Sequence, residues 1–316
     1  MKALVWYGER DVRYEDAPEP EPAEGEVVFD VRLAGICGSD LHGYRGHPGP
    51  RVPPLVLGHE VVGSVDGDPF TLYPLVACGT CERCKAGEDN LCASWRLVGM
   101  HRPGVFAERL AVPRSTLVPV PAGLDPRRAV LAEPLACCVG ALAPYELGGR
   151  EVVVFGAGPI GLLTAYLAAR SGSHVTVVDP IAERRENSRR LGAHAGVETG
   201  EELAPGAADL VVDAAGFETT WRVGVAAVRG GGDVVMVGLG QADAPFPMAV
   251  LVRRAIRLRG QFAYSRQEFA RAVEILGEGD LDLGWLSDAP LADGAEAFEN
   301  LVDRPSQYAK VLLSLA

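Results

Sequence analysis

Lysine is nearly absent from this chain of 316 residues: Lys2, Lys85 and Lys310 stand against a background rich in arginine, alanine and glycine. No cluster of basic residues stands out and the formal charge is -12, which excludes nucleic acid as the expected partner and leaves small molecules. Long apolar runs are missing too. Without a stretch of about eighteen apolar residues there is no candidate membrane span. Without a basic start leading into an apolar segment there is no candidate signal peptide, so the expectation is a soluble cytoplasmic protein with no membrane partner. Internal repeats, low-complexity tracts and long flexible linkers are also lacking. A disulfide framework does not suit the cysteines, which number seven, four of them crowded into one short segment. In a cytosolic chain such crowding points to metal. What is present is a globular composition, 48% hydrophobic and 23% charged, at a length that exceeds one ordinary core and predicts two domains.

Up to about Ala132, short β-rich runs such as Glu26-Val27-Val28-Phe29-Asp30-Val31-Arg32-Leu33 alternate with glycine and proline, which predicts an irregular β domain. From about Glu151 to Gly260 the pattern becomes apolar strand, turn, helix and strand again, the grammar of a parallel sheet with crossovers. A helix is predicted over Arg266–Leu276. A last strand, Ala309-Lys310-Val311-Leu312-Leu313, pairs most economically with the first domain's sheet.

Cys78, Cys81, Cys84 and Cys92 are spaced C-x2-C-x2-C-x7-C. Four thiolates this close wrap one tetrahedral zinc with no position left open, which is a structural site. A redox pair lacks its strand and helix context here, and the x7 gap fits neither common iron–sulfur spacing. A second set is looser: Cys37-Gly38-Ser39-Asp40-Leu41-His42 follows a predicted strand, and Gly58-His59-Glu60 follows a proline-rich loop. A catalytic zinc needs about three mixed ligands and an open position. Alone, however, a solitary cysteine is more often a small buried hydrophobe.

Val152-Val153-Val154-Phe155-Gly156-Ala157-Gly158-Pro159-Ile160-Gly161 reads as a buried strand entering G-x-G-x-x-G, then a helix from Pro159 to Arg170. Such glycines let a pyrophosphate approach the N–H groups of a helix N-terminus. Asp179 ends the next strand, ~20 residues on, where an acid binds ribose hydroxyls and repels a 2′-phosphate; NAD is expected over NADP.

These motifs occur in the order typical of the medium-chain zinc alcohol dehydrogenases, and the chain resembles that family over nearly its whole length. It is most similar to the polyol (sorbitol-like), butanediol and threonine dehydrogenase branch. The resemblance implies an α/β protein: a GroES-like β-rich catalytic domain (1–132 and 264–316) with a structural-zinc lobe, and a Rossmann domain with a doubly wound parallel sheet (133–263). It implies two zinc ions per chain. The catalytic ion takes Cys37, His59 and Glu133, with Glu60 as an exchangeable or indirect ligand, and the structural ion takes the four clustered cysteines. Asp40 is expected to accept the non-metal N–H of His59. Ser39 is expected to take the alcohol proton and His42 to deliver it to water. Arg184, Val237, Gly238, Leu239, Phe262 and Tyr264 join the glycine motif and Asp179 as implied cofactor contacts.

The implied reaction moves a hydride between NAD and a secondary alcohol of the polyol, cyclitol, diol or amino-alcohol type. A threonine-type amino-alcohol dehydrogenase is the alternative within the class; a non-catalytic nucleotide-binding protein on this fold is the alternative outside it. A homodimer or homotetramer is implied by the same likeness. The chain also departs from the pattern. The connection from Val65 to Cys78 is short, as is that from Val197 to Asp209. Phe262-Ala263-Tyr264 replaces the Phe-Arg-Tyr of sorbitol-type enzymes, and Gly43 replaces an aromatic residue, so sorbitol itself is not the expected substrate.

Overall fold

Along Glu26–Gly35 the side chains of Phe29, Val31 and Leu33 are buried while Asp30 and Arg32 are exposed, the period of two that a strand with one face on a core requires. In the computed structural model, which describes residues 1–315, this strand is the centre of a seven-stranded sheet. It pairs antiparallel with Glu60–Val65 and with Lys310–Ser314, and Arg109–Pro113 pairs along its first half. The late strand therefore docks on the sheet begun near residue 26, as its apolar pattern suggested. A smaller sheet joins Asp11–Asp16, Lys2–Gly8 and Leu55–Val56. The core beneath includes Leu4, Trp6, Phe29, Phe106 and Phe298, with the rings of Phe106 and Phe298 edge to face.

The short connection after Val65 has a physical reason. Asp66 and Gly67 both adopt positive φ, 53° and 89°, which is the demand of a two-residue hairpin turn, and Glu60–Val65 turns directly into Asp68–Leu72.

Two compact units result: Met1–Ala136 with the segment from Ser265 onward, and Cys137–Tyr264. The boundary falls a few residues beyond Ala132, and so keeps Glu133 in the same unit as Cys37 and His59. The second unit is a six-stranded sheet, every pair parallel, ordered Ala195–Val197, His174–Val178, Glu151–Phe155, Ala208–Asp213, Val228–Met236, Arg257–Gly260. Its inner strands carry buried apolar runs, residues 152–155, 210–212 and 234–235 among them, as burial on both faces requires. The order reverses beside Glu151–Phe155, the switch point at which doubly wound sheets bind ligands. Between Val197 and Ala208 a single 3-10 turn, Gly200–Glu202, stands where a full crossover helix would otherwise lie. Among the described residues no helix is long and apolar enough to cross a membrane.

Candidate functional site

The register that sets Gly35 opposite Glu60 also gathers the segments beyond it. Cys37 caps the helix Gly38–Tyr44, and His59 immediately precedes its strand. Cys37, His59 and Glu60 offer ligand atoms within 4.8 Å of one another, with His59 and Glu60 almost wholly buried. Ser39 Oγ lies 3.4 Å from His59 Nε2. Burial alone would lower the imidazole's pKa, but the negative charges of Asp40 and Cys37, with Glu133 further off, outweigh it and hold His59 at about 10. A donor set that draws positive charge so strongly against desolvation suits a divalent cation, and thiolate, imidazole and carboxylate are zinc ligands.

Glu133, at the start of the helix Ala132–Leu142, is buried and its charge raises His59, and the Glu60 carboxylate lies within 4.8 Å of the Cys37 and His59 ligand atoms. One expectation comes out differently. Asp40 does not make the expected hydrogen bond to His59. Its carboxylate accepts N–H bonds from Cys37 at 3.1 Å and Gly58 at 3.4 Å, lies 3.7 Å from His59 Nδ1, and leaves that nitrogen without a hydrogen-bond partner. The reason is competition: two backbone donors and the buried Arg51 guanidinium, also 3.7 Å away, crowd the same carboxylate. Asp40 thus braces both ligand-bearing segments. His42, one turn beyond Ser39, is half-buried; burial, then the charge of Arg45, keeps its imidazole below the ordinary value and so neutral at neutral pH.

The motifs did not single out Lys310. Its side chain is buried, donates to the Ile36 carbonyl at 2.9 Å, and pairs with Glu60. Gly35, between them on the central strand, is required by this meeting: a Cβ there would overlap the Glu60 carboxylate and come within 3.1 Å of the lysine.

The four clustered cysteines also converge on one point, their sulfurs all within 4.8 Å. Cys78 and Cys84 stand 3.9 Å apart and Cys81 and Cys84 3.5 Å, close to the ~3.8 Å edge of a tetrahedron of sulfurs around zinc. N–H groups of Thr80 and Cys81 pull the Cys78 thiol down to about 5, whereas burial and the adjoining sulfurs push Cys84 up to about 12. Sulfurs this close resist ionising together unless a cation shares them.

In the second unit the glycine motif makes its turn as its residues require. Gly156 has φ 87°, Gly158 caps the helix Pro159–Arg170, and a Cβ on Gly161 would overlap the Gly156 carbonyl. A Cβ on Gly158 would meet nothing within 4 Å, so this side of the turn is open where Pro159 and Ile160 begin the helix, a cradle suited to a phosphate. Asp179 is buried and accepts N–H bonds from Ala157 at 2.7 Å and Ile181 at 2.8 Å, with Arg184 4.0 Å away. Val237 and Gly238 both donate to the Asp213 carbonyl, and Leu239 is exposed. Of the last pair, Phe262 is exposed and Tyr264 is buried.

The sequence matches the family models for the alcohol dehydrogenase GroES-like domain over residues 23–122 and for zinc-binding dehydrogenase over 159–278. L-galactonate-5-dehydrogenase of Escherichia coli is 30% identical over 326 residues, covering 95% of this chain and 94% of that one. A zinc-binding dehydrogenase of Sinorhizobium meliloti, solved with NADP, superposes with a TM-score of 0.90 at 30% identity, over 99% of each chain. An alcohol dehydrogenase of Escherichia coli solved with NADH gives a TM-score of 0.92 at 26% identity, over 100% of this chain and 99% of that one. With that agreement along its whole length, and with both thiolate clusters and the glycine turn in place, the chain belongs to the zinc-dependent medium-chain alcohol dehydrogenases.

Proposed function

We propose that this protein oxidises a secondary alcohol, of the polyol, cyclitol, diol or amino-alcohol type, with NAD as the hydride acceptor. One observation carries the reading: a half-buried cysteine sulfur and a buried imidazole and carboxylate converge within 4.8 Å, with the Ser39 hydroxyl against the imidazole. When bound, zinc would act as a Lewis acid on the substrate hydroxyl and NAD would accept the hydride.

The chain's own residues do the rest. Cys37 and His59, with Glu133 and Glu60 as the neighbouring carboxylates, would hold the catalytic ion; Cys78, Cys81, Cys84 and Cys92 would hold the structural one. Ser39 accepts the alcohol proton at Oγ as its own proton moves on. His42, kept neutral by burial, receives it. Asp40 fixes the backbone on which both thiolate and imidazole are carried. Asp179 keeps a lone pair on each oxygen for ribose hydroxyls, and its charge opposes a 2′-phosphate, which favours NAD over NADP. In this reading the enzyme works in the cytoplasm as a homodimer or homotetramer.

The test combines metal analysis with a panel of alcohols and ketones against NAD(H) and NADP(H). Two zinc ions per chain and NAD reduction by a secondary alcohol are expected. A zinc-loaded protein that turns over no member of the panel with either cofactor defeats the reading.

A further inference from the structure

Two loops leave the carboxyl ends of the adjacent strands Ala208–Asp213 and Val228–Met236, and one residue bonds to both, to the first through its side chain and to the second through its backbone carbonyl. Asp213 Oδ1 accepts the N–H groups of Ala215 at 2.9 Å and Gly216 at 2.8 Å, and Oδ2 accepts the Thr220 hydroxyl at 2.7 Å. Its backbone carbonyl accepts the N–H groups of Val237 at 2.9 Å and Gly238 at 2.8 Å. The loops then pack backbone on backbone: a Cβ on Gly216 would overlap the Gly238 carbonyl carbon, and one on Gly238 would come within 2.5 Å of that of Ala215. Asp213 is 1% exposed. Burying a carboxylate costs stability unless its oxygens are bonded, so such a residue fixes its surroundings closely.

Its place in the sheet gives the arrangement a purpose. Asp179 stands on one side of the glycine-motif strand Glu151–Phe155, and Asp213 on the other. A dinucleotide lies across the carboxyl edge of a doubly wound sheet with its halves on opposite sides of this switch point. With the adenosine ribose assigned to Asp179, the loops joined by Asp213 face the nicotinamide half. Resting on the NAD reading, we infer that Asp213, with Thr220, is the positioning residue of the nicotinamide half of the cofactor site. Its side chain acts through the backbone of residues 214–217, on which Gly238 of the second loop packs.

Binding rather than turnover tests this, with the zinc-loaded protein and two probes: NADH, and ADP-ribose, which lacks the nicotinamide. Asp213→Ala is expected to weaken NADH by roughly tenfold and ADP-ribose by less than about twofold, and Thr220→Val to act in the same sense by a smaller factor. Asp213→Asn is expected to stay within about threefold of the parent, since it keeps the acceptor for two N–H groups and turns its amide toward the Thr220 oxygen. Equal weakening of both probes in Asp213→Ala and Thr220→Val would mean only a loosened fold and overturns the inference. So does an unchanged NADH affinity. If Asp213→Ala does not fold, Thr220→Val decides, because the buried carboxylate keeps its bonds from Ala215 and Gly216 in it. A parent protein that binds neither probe defeats the NAD reading itself.

Discussion

The two thiolate clusters of the first unit are opposites in construction. One is local and half-exposed: four cysteines between residues 78 and 92 converge through short turns and would offer an ion sulfur alone. The other is more deeply set and assembled from distant stretches, with Cys37 leaving one strand, Glu60 opening the next, and Lys310 arriving from the far end of the chain. A closed sphere of soft ligands resists water and substrate. The mixed set brings unlike donors together, and a tetrahedral ion that took three of them would keep one position free. Shape, on this comparison, assigns chemistry to one cluster and stability to the other.

Removing the thiolate of the open cluster should have the largest consequence. Cys37→Ala is expected to lose one of two zinc ions and at least about a thousandfold in kcat/KM, the several kcal/mol that a Lewis acid contributes to a transition state. Its melting temperature should change little. Should the variant keep both metals or most of its turnover, the catalytic ion sits elsewhere.

Next in size is the buried pair behind that cluster. Lys310→Met leaves the Glu60 carboxylate without its ammonium in a dry setting, and should cost about 3 kcal/mol in equilibrium denaturation. The double variant Lys310→Met with Glu60→Gln should recover most of that loss, because no uncompensated charge remains. An unaltered midpoint for the single variant would show that Glu60 draws its countercharge from the metal instead.

The closed cluster should respond in the opposite currency. Cys81→Ala is expected to release the other zinc and expose residues 78–92 to proteases, while kcat for the remaining folded enzyme stays within about tenfold of the parent. A loss of turnover as deep as that of Cys37→Ala would break the division of labour between the clusters.

The same contrast explains what could be read from the residues alone. The cysteine lobe and the glycine turn are contiguous, and their spacing encodes their geometry. The strand pattern placed residues 309–313, within a residue of the observed Lys310–Ser314, against the first sheet for a similar reason, since an apolar strand needs a partner. Glu60 and Lys310 meet across 250 positions of chain, and no local period reports such a meeting. Two signals were nevertheless available: a lysine opening an apolar strand in a chain almost free of lysine, and Gly35 within a strand, where glycine marks a close approach. Asp213 carried a signal as well, an acid ending an apolar strand just as Asp179 does. It went unread because the dinucleotide fingerprint asks for only one acid. Arg51 lies in a glycine and proline loop with no period to place it, and only the folded loop shows it buried beside Asp40.

The smallest effect expected concerns the edge of the open cluster. His42 has a pKa held below 6.5 by burial and by Arg45, so in acid the unfolded chain takes up this proton more readily than the folded one. Its contribution therefore lowers stability as pH falls through 6.5 and is complete once pH lies below the depressed native value. His101, lowered mainly by burial, has the same sign. Denaturation midpoints measured across this range should fall less steeply in His42→Asn than in the parent, with the difference vanishing above pH 7. The same substitution should reduce alcohol oxidation by about tenfold, as loss of a proton acceptor does. A parallel pH dependence in the two proteins would mean that His42 is not held neutral by its surroundings, and its place in the proton path from Ser39 would then lose its physical basis.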